Sequence, residues 1–197
     1  EKLKNIDIPE GTQFSSLTVT LGYKCVCGVL KSTSMARCYG EEMSSQMNYV
    51  PSTAFASIDV GTSHGCGIGI TNGYVTCWGS NSYGQASVPG TIGIARDLSV
   101  AANHNCALSQ TGKLICWGDN WKGEIDIPSN LEAVECQQVT ALNSGGCVLL
   151  ASGAVACWGS DVDAPPSEYR FSSLSKSATC GILVSKDIFC WGALTLN

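Results

Sequence analysis

Cys106-Ala-Leu-Ser-Gln-Thr-Gly112-Lys-Leu-Ile-Cys116-Trp117-Gly118 decides the architecture of this chain. Two short apolar stretches flank a polar turn, and the cysteines that bound them are ten residues apart. If Cys106 and Cys116 face one another, the loop has three residues centred on Thr111. Such a loop suits a type I turn closed by a left-handed glycine, and Gly112 stands at that place. Directly opposed residues of an antiparallel pair have Cα atoms about 4.5 to 5.5 Å apart, within disulfide reach. The stretch therefore predicts a β-hairpin stapled by a Cys106–Cys116 bond.

The same unit recurs along the chain. Cys-Trp-Gly stands at Cys77, Cys116, Cys157 and Cys190, with an altered copy at Cys38-Tyr39-Gly40, and the markers are 39, 39, 41 and 33 residues apart. Each has a second cysteine ten or eleven residues upstream, at Cys27, Cys66, Cys106, Cys147 and Cys180. Gly73 and Gly153 match Gly112, while Ser34 and Lys186 break the turn pattern in the first and last copies. One staple is expected in each of the five hairpins.

Upstream of each hairpin runs another segment with period-two apolar residues, such as Ile58 and Val60 or Leu98 and Val100. Downstream come polar loops and, in places, a further alternation such as Ile125-Asp126-Ile127-Pro128. This amounts to three or four short strands per repeat, and no helical period of useful length is present. Small antiparallel sheets cannot bury both faces alone, whereas radially stacked ones can. The expected fold is an all-β, five-repeat β-propeller forming a single unit over residues 1–197. Its repeats fall at about 10–46, 47–85, 86–124, 125–164 and 165–197. Ile6-Asp7-Ile8-Pro9 matches Ile125–Pro128, so residues 1–9 are expected to complete the last blade, or else to join one molecule to the next in an open filament.

Composition narrows the class. Of 197 residues 44% are hydrophobic, enough for a sizeable core, and eleven scattered Lys and Arg with a net charge of −5 leave no basic stripe for nucleic acid. Twelve cysteines read as a disulfide framework made in an oxidising compartment, so the chain is expected to be secreted and extracellular. With no apolar run of about eighteen residues and no basic leader at Glu1, a processed, soluble form without membrane insertion is expected. There is no Asn-x-Ser/Thr sequon, and the serines and threonines leave O-linked sugar open.

The Cys-Trp-Gly signatures, with Gly61-Thr-Ser-His64-Gly-Cys66-Gly and Ala101-Ala-Asn-His104-Asn-Cys106-Ala before them, resemble the regulator of chromosome condensation repeat family. Later parts of that repeat are visible as Gly79-Ser-Asn81-Ser-Tyr83-Gly84-Gln85 and Gly118-Asp-Asn120-Trp121-Lys-Gly123-Glu. The cysteine-rich version is similar to the secreted branch, which includes ectodomains of plant crinkly-type receptor kinases. The resemblance implies a propeller, commonly of seven blades. This chain has five repeats, a number found among tachylectin-like lectins. The founding member's nuclear exchange-factor role is not carried over.

Residue by residue, the chemistry is sparse. The repeated tryptophans alternate with the cysteines, so they belong on the opposite sheet face, packed against a neighbouring blade. Trp121 and Tyr83 differ, lying in loops after a Cys-Trp-Gly, where exposed aromatics anchor sugars or protein partners. A loop-covering role is the competing reading. His64 and His104 share one repeat position, which favours a structural hydrogen bond over metal or catalysis. No triad or carboxylate pair stands out, and the cysteine spacing is not that of a zinc knuckle, so no catalytic residue, metal or cofactor is expected. Cys25 and Cys136 fall outside the repeat. They could pair with each other, stay as thiols, exchange with Cys27 or link chains.

The resulting expectation is a non-enzymatic, lectin-like extracellular recognition module that binds a protein or glycan through its face loops. The alternative is a structural subunit that self-assembles into a fibre or coat.

Overall fold

A computed structural model describes residues 6–20, 25–40, 49–131, 134–176 and 179–192. It contains five three-stranded antiparallel sheets, one per repeat. The first blade is β1 (Phe14–Thr20), β2 (Cys25–Leu30) and β3 (Ala36–Gly40). The second is β4 (Phe55–Val60), β5 (His64–Gly69) and β6 (Val75–Gly79). The third is β7 (Ala95–Val100), β8 (His104–Ser109) and β9 (Leu114–Gly118). The fourth is β10 (Cys136–Leu142), β11 (Gly145–Leu150) and β12 (Val155–Gly159). The fifth is β13 (Phe171–Leu174), β14 (Cys180–Leu183) and β15 (Ile188–Cys190).

Within each blade the two outer strands form the hairpin, with the cysteines directly opposed: Cys27–Cys38, Cys66–Cys77, Cys106–Cys116, Cys147–Cys157 and Cys180–Cys190 are disulfide-bonded. Gly73, Gly112 and Gly153 close their turns with φ of 68°, 86° and 80°. Ser34 and Lys186, at the same place in the first and last turns, adopt the same left-handed conformation at 57° and 81° despite carrying side chains. The turn is dictated by its neighbours' pairing, not by glycine alone.

Every inner strand carries a bulge after its first residue, where Phe14, Phe55, Ala95, Cys136 and Phe171 stand. The residue after the first hairpin cysteine complements it. A Cβ on Gly28, Gly67 or Gly181 would lie 2.5, 2.4 or 2.6 Å from the ring of Phe14, Phe55 or Phe171. Where the bulge residue is the smaller Ala95 or Cys136, Ala107 or Val148 replaces that glycine. One volume is thus filled by two alternative partitions, as close packing requires.

The core is four apolar clusters, one between each pair of consecutive blades. In each, a blade offers the face bearing its disulfide and the next blade offers the face bearing its Trp. Trp117, for example, packs with Cys66, Ile68 and Val75 of the second blade. Short 3-10 turns at Gly90–Ile92 and Ser129–Leu131 feed Ile92 and Leu131 into the seams.

Two expectations change. Ile125–Pro128 is not a fourth strand: Asp126 N–H donates to the Gly123 carbonyl and Ile127 N–H to that of Ile125, so local turns satisfy this backbone. Ile6–Pro9 is likewise no strand, and residues 1–5, which were to extend it, lie outside the described residues. Among the described residues no strand pairing joins the first and fifth sheets.

Candidate functional site

The loops leaving β6 and β9 share one construction. Asn81 Oδ1 accepts from Ala86 N–H at 2.9 Å, and Asn120 Oδ1 accepts from Ile125 N–H at 3.1 Å. Gly84 and Gly123 both turn at φ 78°. The next residue, Gln85 or Glu124, is buried and curls back to accept from Tyr83 N–H at 2.8 Å or Lys122 N–H at 2.7 Å. Its carbonyl then receives the indole N–H of the following blade's tryptophan: Trp117 donates to Gln85 at 3.0 Å and Trp158 to Glu124 at 2.9 Å. Trp191 donates in the same way to Asp163 at 2.9 Å. In the third, fourth and fifth blades the repeated Trp therefore serves packing and ties the blade to the loop before it.

Trp121 takes no part in this. Its side chain is 91% exposed on a loop fixed at both ends, so it covers nothing. It borders a cleft of about 220 Å³ with Asn103, Asp119, Lys122 and Asn143. Tyr83 is 54% exposed on the preceding loop and does not line that cleft. The two aromatics sit on equivalent loops of adjacent blades, one beside a polar cleft and one apart from it.

His64 and His104 are fully buried between blades. His64 Nε2 donates to Asn105 Oδ1 at 2.7 Å, and His104 Nε2 donates to the Gly145 carbonyl at 3.0 Å, each partner lying on the next blade. Burial lowers both pKa values, that of His64 to about 4, so both rings are neutral at pH 7. They act as blade-to-blade ties. Cys25 occupies the corresponding position of the first blade.

Cys25 and Cys136 belong to none of the five disulfides and lie in different seams, at 3% and 0% exposure. They do not bond to each other, and Cys27 keeps its own partner Cys38. Cys136 fills the bulge position of β10, paired in register with Leu150, and burial pushes its thiol pKa up. A sealed, protonated thiol is a poor candidate for linking chains.

Sequence reasoning did not single out the polar ladder on the inner strands. Asp59 Oδ2 accepts from Val100 N–H at 2.8 Å, Asp97 Oδ2 from Val139 N–H at 2.8 Å, and Gln138 Oε1 from Leu174 N–H at 2.7 Å. Each bond runs from one blade to the next. Lys176, after β13, reaches back to Asp97 at 2.6 Å and donates to the Val139 carbonyl at 3.0 Å. Asp59, Asp97 and Lys176 border a cavity of about 420 Å³ together with Thr18, Leu17 and Val19 of β1. The available signal was the register: Ser57, Asp97 and Gln138 stand at one strand position, and Thr18, Asp59 and Ser99 at another.

Residues 55–85 and 96–124 match the family model described as regulator of chromosome condensation (RCC1) repeat. The second and third blades are thus similar to RCC1 repeats. Solved structures extend the likeness beyond those two RCC1 segments. The crinkly WD40 ectodomain of the Arabidopsis thaliana receptor kinase ACR4 is 24% identical with a TM-score of 0.72, over 92% of this chain and 69% of that one. The ectodomain of the Physcomitrella patens receptor kinase CR4 is 26% identical with a TM-score of 0.70, over 88% of this chain and 50% of that one. Prp20p from Saccharomyces cerevisiae is 14% identical with a TM-score of 0.62, over 79% of this chain and 47% of that one. The chain thus spans half the length of the CR4 ectodomain and less than half of Prp20p.

Proposed function

We propose that the chain is an extracellular, non-enzymatic recognition module whose blades are arranged as a propeller and whose face loops, led by Trp121, bind a protein or glycan. The observation that carries this reading is Trp121, 91% exposed beside a polar cleft on a loop braced internally by Asn120 and tied to the fourth blade through Trp158. A rigidly mounted indole offers a large contact area at little entropic cost, and adjacent amides and carboxylates suit hydroxyl-bearing ligands. The receptor-kinase ectodomains of similar fold support the extracellular placement, as do the five disulfides, which need an oxidising compartment to persist. Consecutive stacking of the five sheets through their Trp seams supports the propeller arrangement.

The test is a glycan-array and extracellular-protein screen with the wild type and Trp121→Ala. The four other tryptophans are each 5% exposed, so ligand contact at Trp121 would also change the exposed part of the intrinsic fluorescence. Hits that survive Trp121→Ala unchanged would place recognition elsewhere.

A further inference from the structure

The cleft beside Trp121 is assembled from positions that carry smaller residues one repeat earlier. Asp119 and Trp121 stand on the loop after β9, Asn103 on the β7–β8 turn and Asn143 on the β10–β11 turn, so the third and fourth blades both line the cleft of about 220 Å³. By register, the corresponding residues of the preceding seam are Ser80, Ser82, Ser63 and Ala102. The scaffold around them is the same in both seams, since Asn81 and Asn120, Gly84 and Gly123, and Gln85 and Glu124 build matching loops. Folding of the loop therefore does not call for the four larger groups.

Their polar atoms are available to a ligand. Asp119 Oδ1 accepts from Trp121 N–H at 3.2 Å, which fixes the carboxylate beside the indole, and its other oxygen makes no hydrogen bond among the described residues. The side-chain amides of Asn103 and Asn143 likewise have no hydrogen-bond partner among the described residues. The loop itself is held: Ser160 N–H and the Ser160 hydroxyl donate to the Lys122 carbonyl at 3.1 and 2.9 Å. A surface mounted in this way loses little freedom when a ligand arrives.

We infer that the cleft binds one neutral pyranose ring of a glycan, stacked by its C–H face on Trp121, with its hydroxyls on the Asp119 carboxylate and the Asn103 and Asn143 amides. This rests on recognition at Trp121 and adds the class of ligand. A pyranose presents an apolar face and a rim of hydroxyls that both donate and accept; an indole suits the first, a carboxylate and two amides the second. Asp119 and Glu124 against the single Lys122 leave the cleft negative, which disfavours a uronate. An aromatic or proline side chain stacked on Trp121 would leave the carboxylate and both amides without partners.

The probes are the methyl glycosides of glucose, galactose, mannose and N-acetylglucosamine, with methyl glucuronide as the charged counterpart, followed by proton saturation-transfer NMR. They are titrated against the wild type, Trp121→Ala, Asp119→Asn and, as a control on the preceding loop, Ser82→Ala. At least one neutral glycoside should bind saturably to the wild type and equally to Ser82→Ala, and Trp121→Ala should abolish that binding. Asp119→Asn keeps an acceptor for Trp121 N–H yet removes a charged acceptor from the ligand, and should weaken binding about tenfold. The glucuronide should bind more weakly than the glucoside. No saturable binding of any neutral glycoside, binding indifferent to Asp119→Asn, or tighter binding of the glucuronide overturns the inference. A protein ligand lost in Trp121→Ala but kept in Asp119→Asn would also overturn it, while leaving recognition at Trp121 standing.

Discussion

The carboxylate of Asp59 accepts the backbone N–H of Val100 at 2.8 Å, a bond between the inner strands of consecutive blades made by residues 41 apart in sequence. The same side chain accepts from the Thr18 hydroxyl of the blade before at 2.7 Å and from Val60 N–H at 3.0 Å. One buried carboxylate thus holds three blades in register.

Asp59→Ala should destabilise the chain by about 2–3 kcal/mol, because it removes at once the bonds to Val100 N–H, Val60 N–H and the Thr18 hydroxyl. Ser57→Ala, on the same strand, removes none of these bonds and should cost far less. Chemical denaturation of both variants checks the difference.

Acid should loosen the same seams through histidine. His64 has its pKa lowered from 6.5 to about 4 by burial, so the unfolded chain binds more protons than the folded one between those values. Stability therefore falls as pH drops through that window, by about 1.4 kcal/mol per pH unit for each such group, and His104 contributes in the same direction. Asp59 opposes them: burial raises its pKa above 3.8, so the folded state takes up its proton first and gains stability as pH falls. His64→Gln should flatten the pH dependence of the denaturation midpoint, and Asp59→Asn should steepen it.

Ser34 and Lys186 hold φ of 57° and 81°, a region costly for residues with a Cβ. Replacing either by glycine should stabilise the chain by about 0.5–1 kcal/mol after allowing for glycine's greater unfolded freedom. Gly112→Ala should have the opposite effect. Thermal melts would rank the three.

The tryptophans should separate cleanly by role. Trp117→Ala empties a buried seam and removes the indole bond to Gln85, at a cost of about 3–5 kcal/mol. Trp121→Ala should change stability by less than about 0.5 kcal/mol while reducing ligand binding. Denaturation curves run beside the binding screen would show both effects.

Much of this was legible from short-range pattern. The cysteine spacing, the turn glycines and the Trp alternation lie within a dozen residues of one another, and within a hairpin the alternation of side chains assigns each to a face. That reasoning misassigned Ile125–Pro128, because period-two alternation says nothing about whether a neighbouring strand is available to pair. The exchange of Phe–Gly for Ala–Ala or Cys–Val at the bulges is written in the sequence, yet becomes visible only when the register shows which residues touch.

The amino-acid sequence by itself determined the five-fold hairpin repeat, since each unit is specified by contacts about ten residues apart. Only the tertiary structure decided that Trp121 stands free beside a polar cleft while its four counterparts are sealed, and that Asp59 and His64 tie separate blades. Those outcomes depend on which blade lies against which, and packing between residues some forty positions apart leaves no local mark.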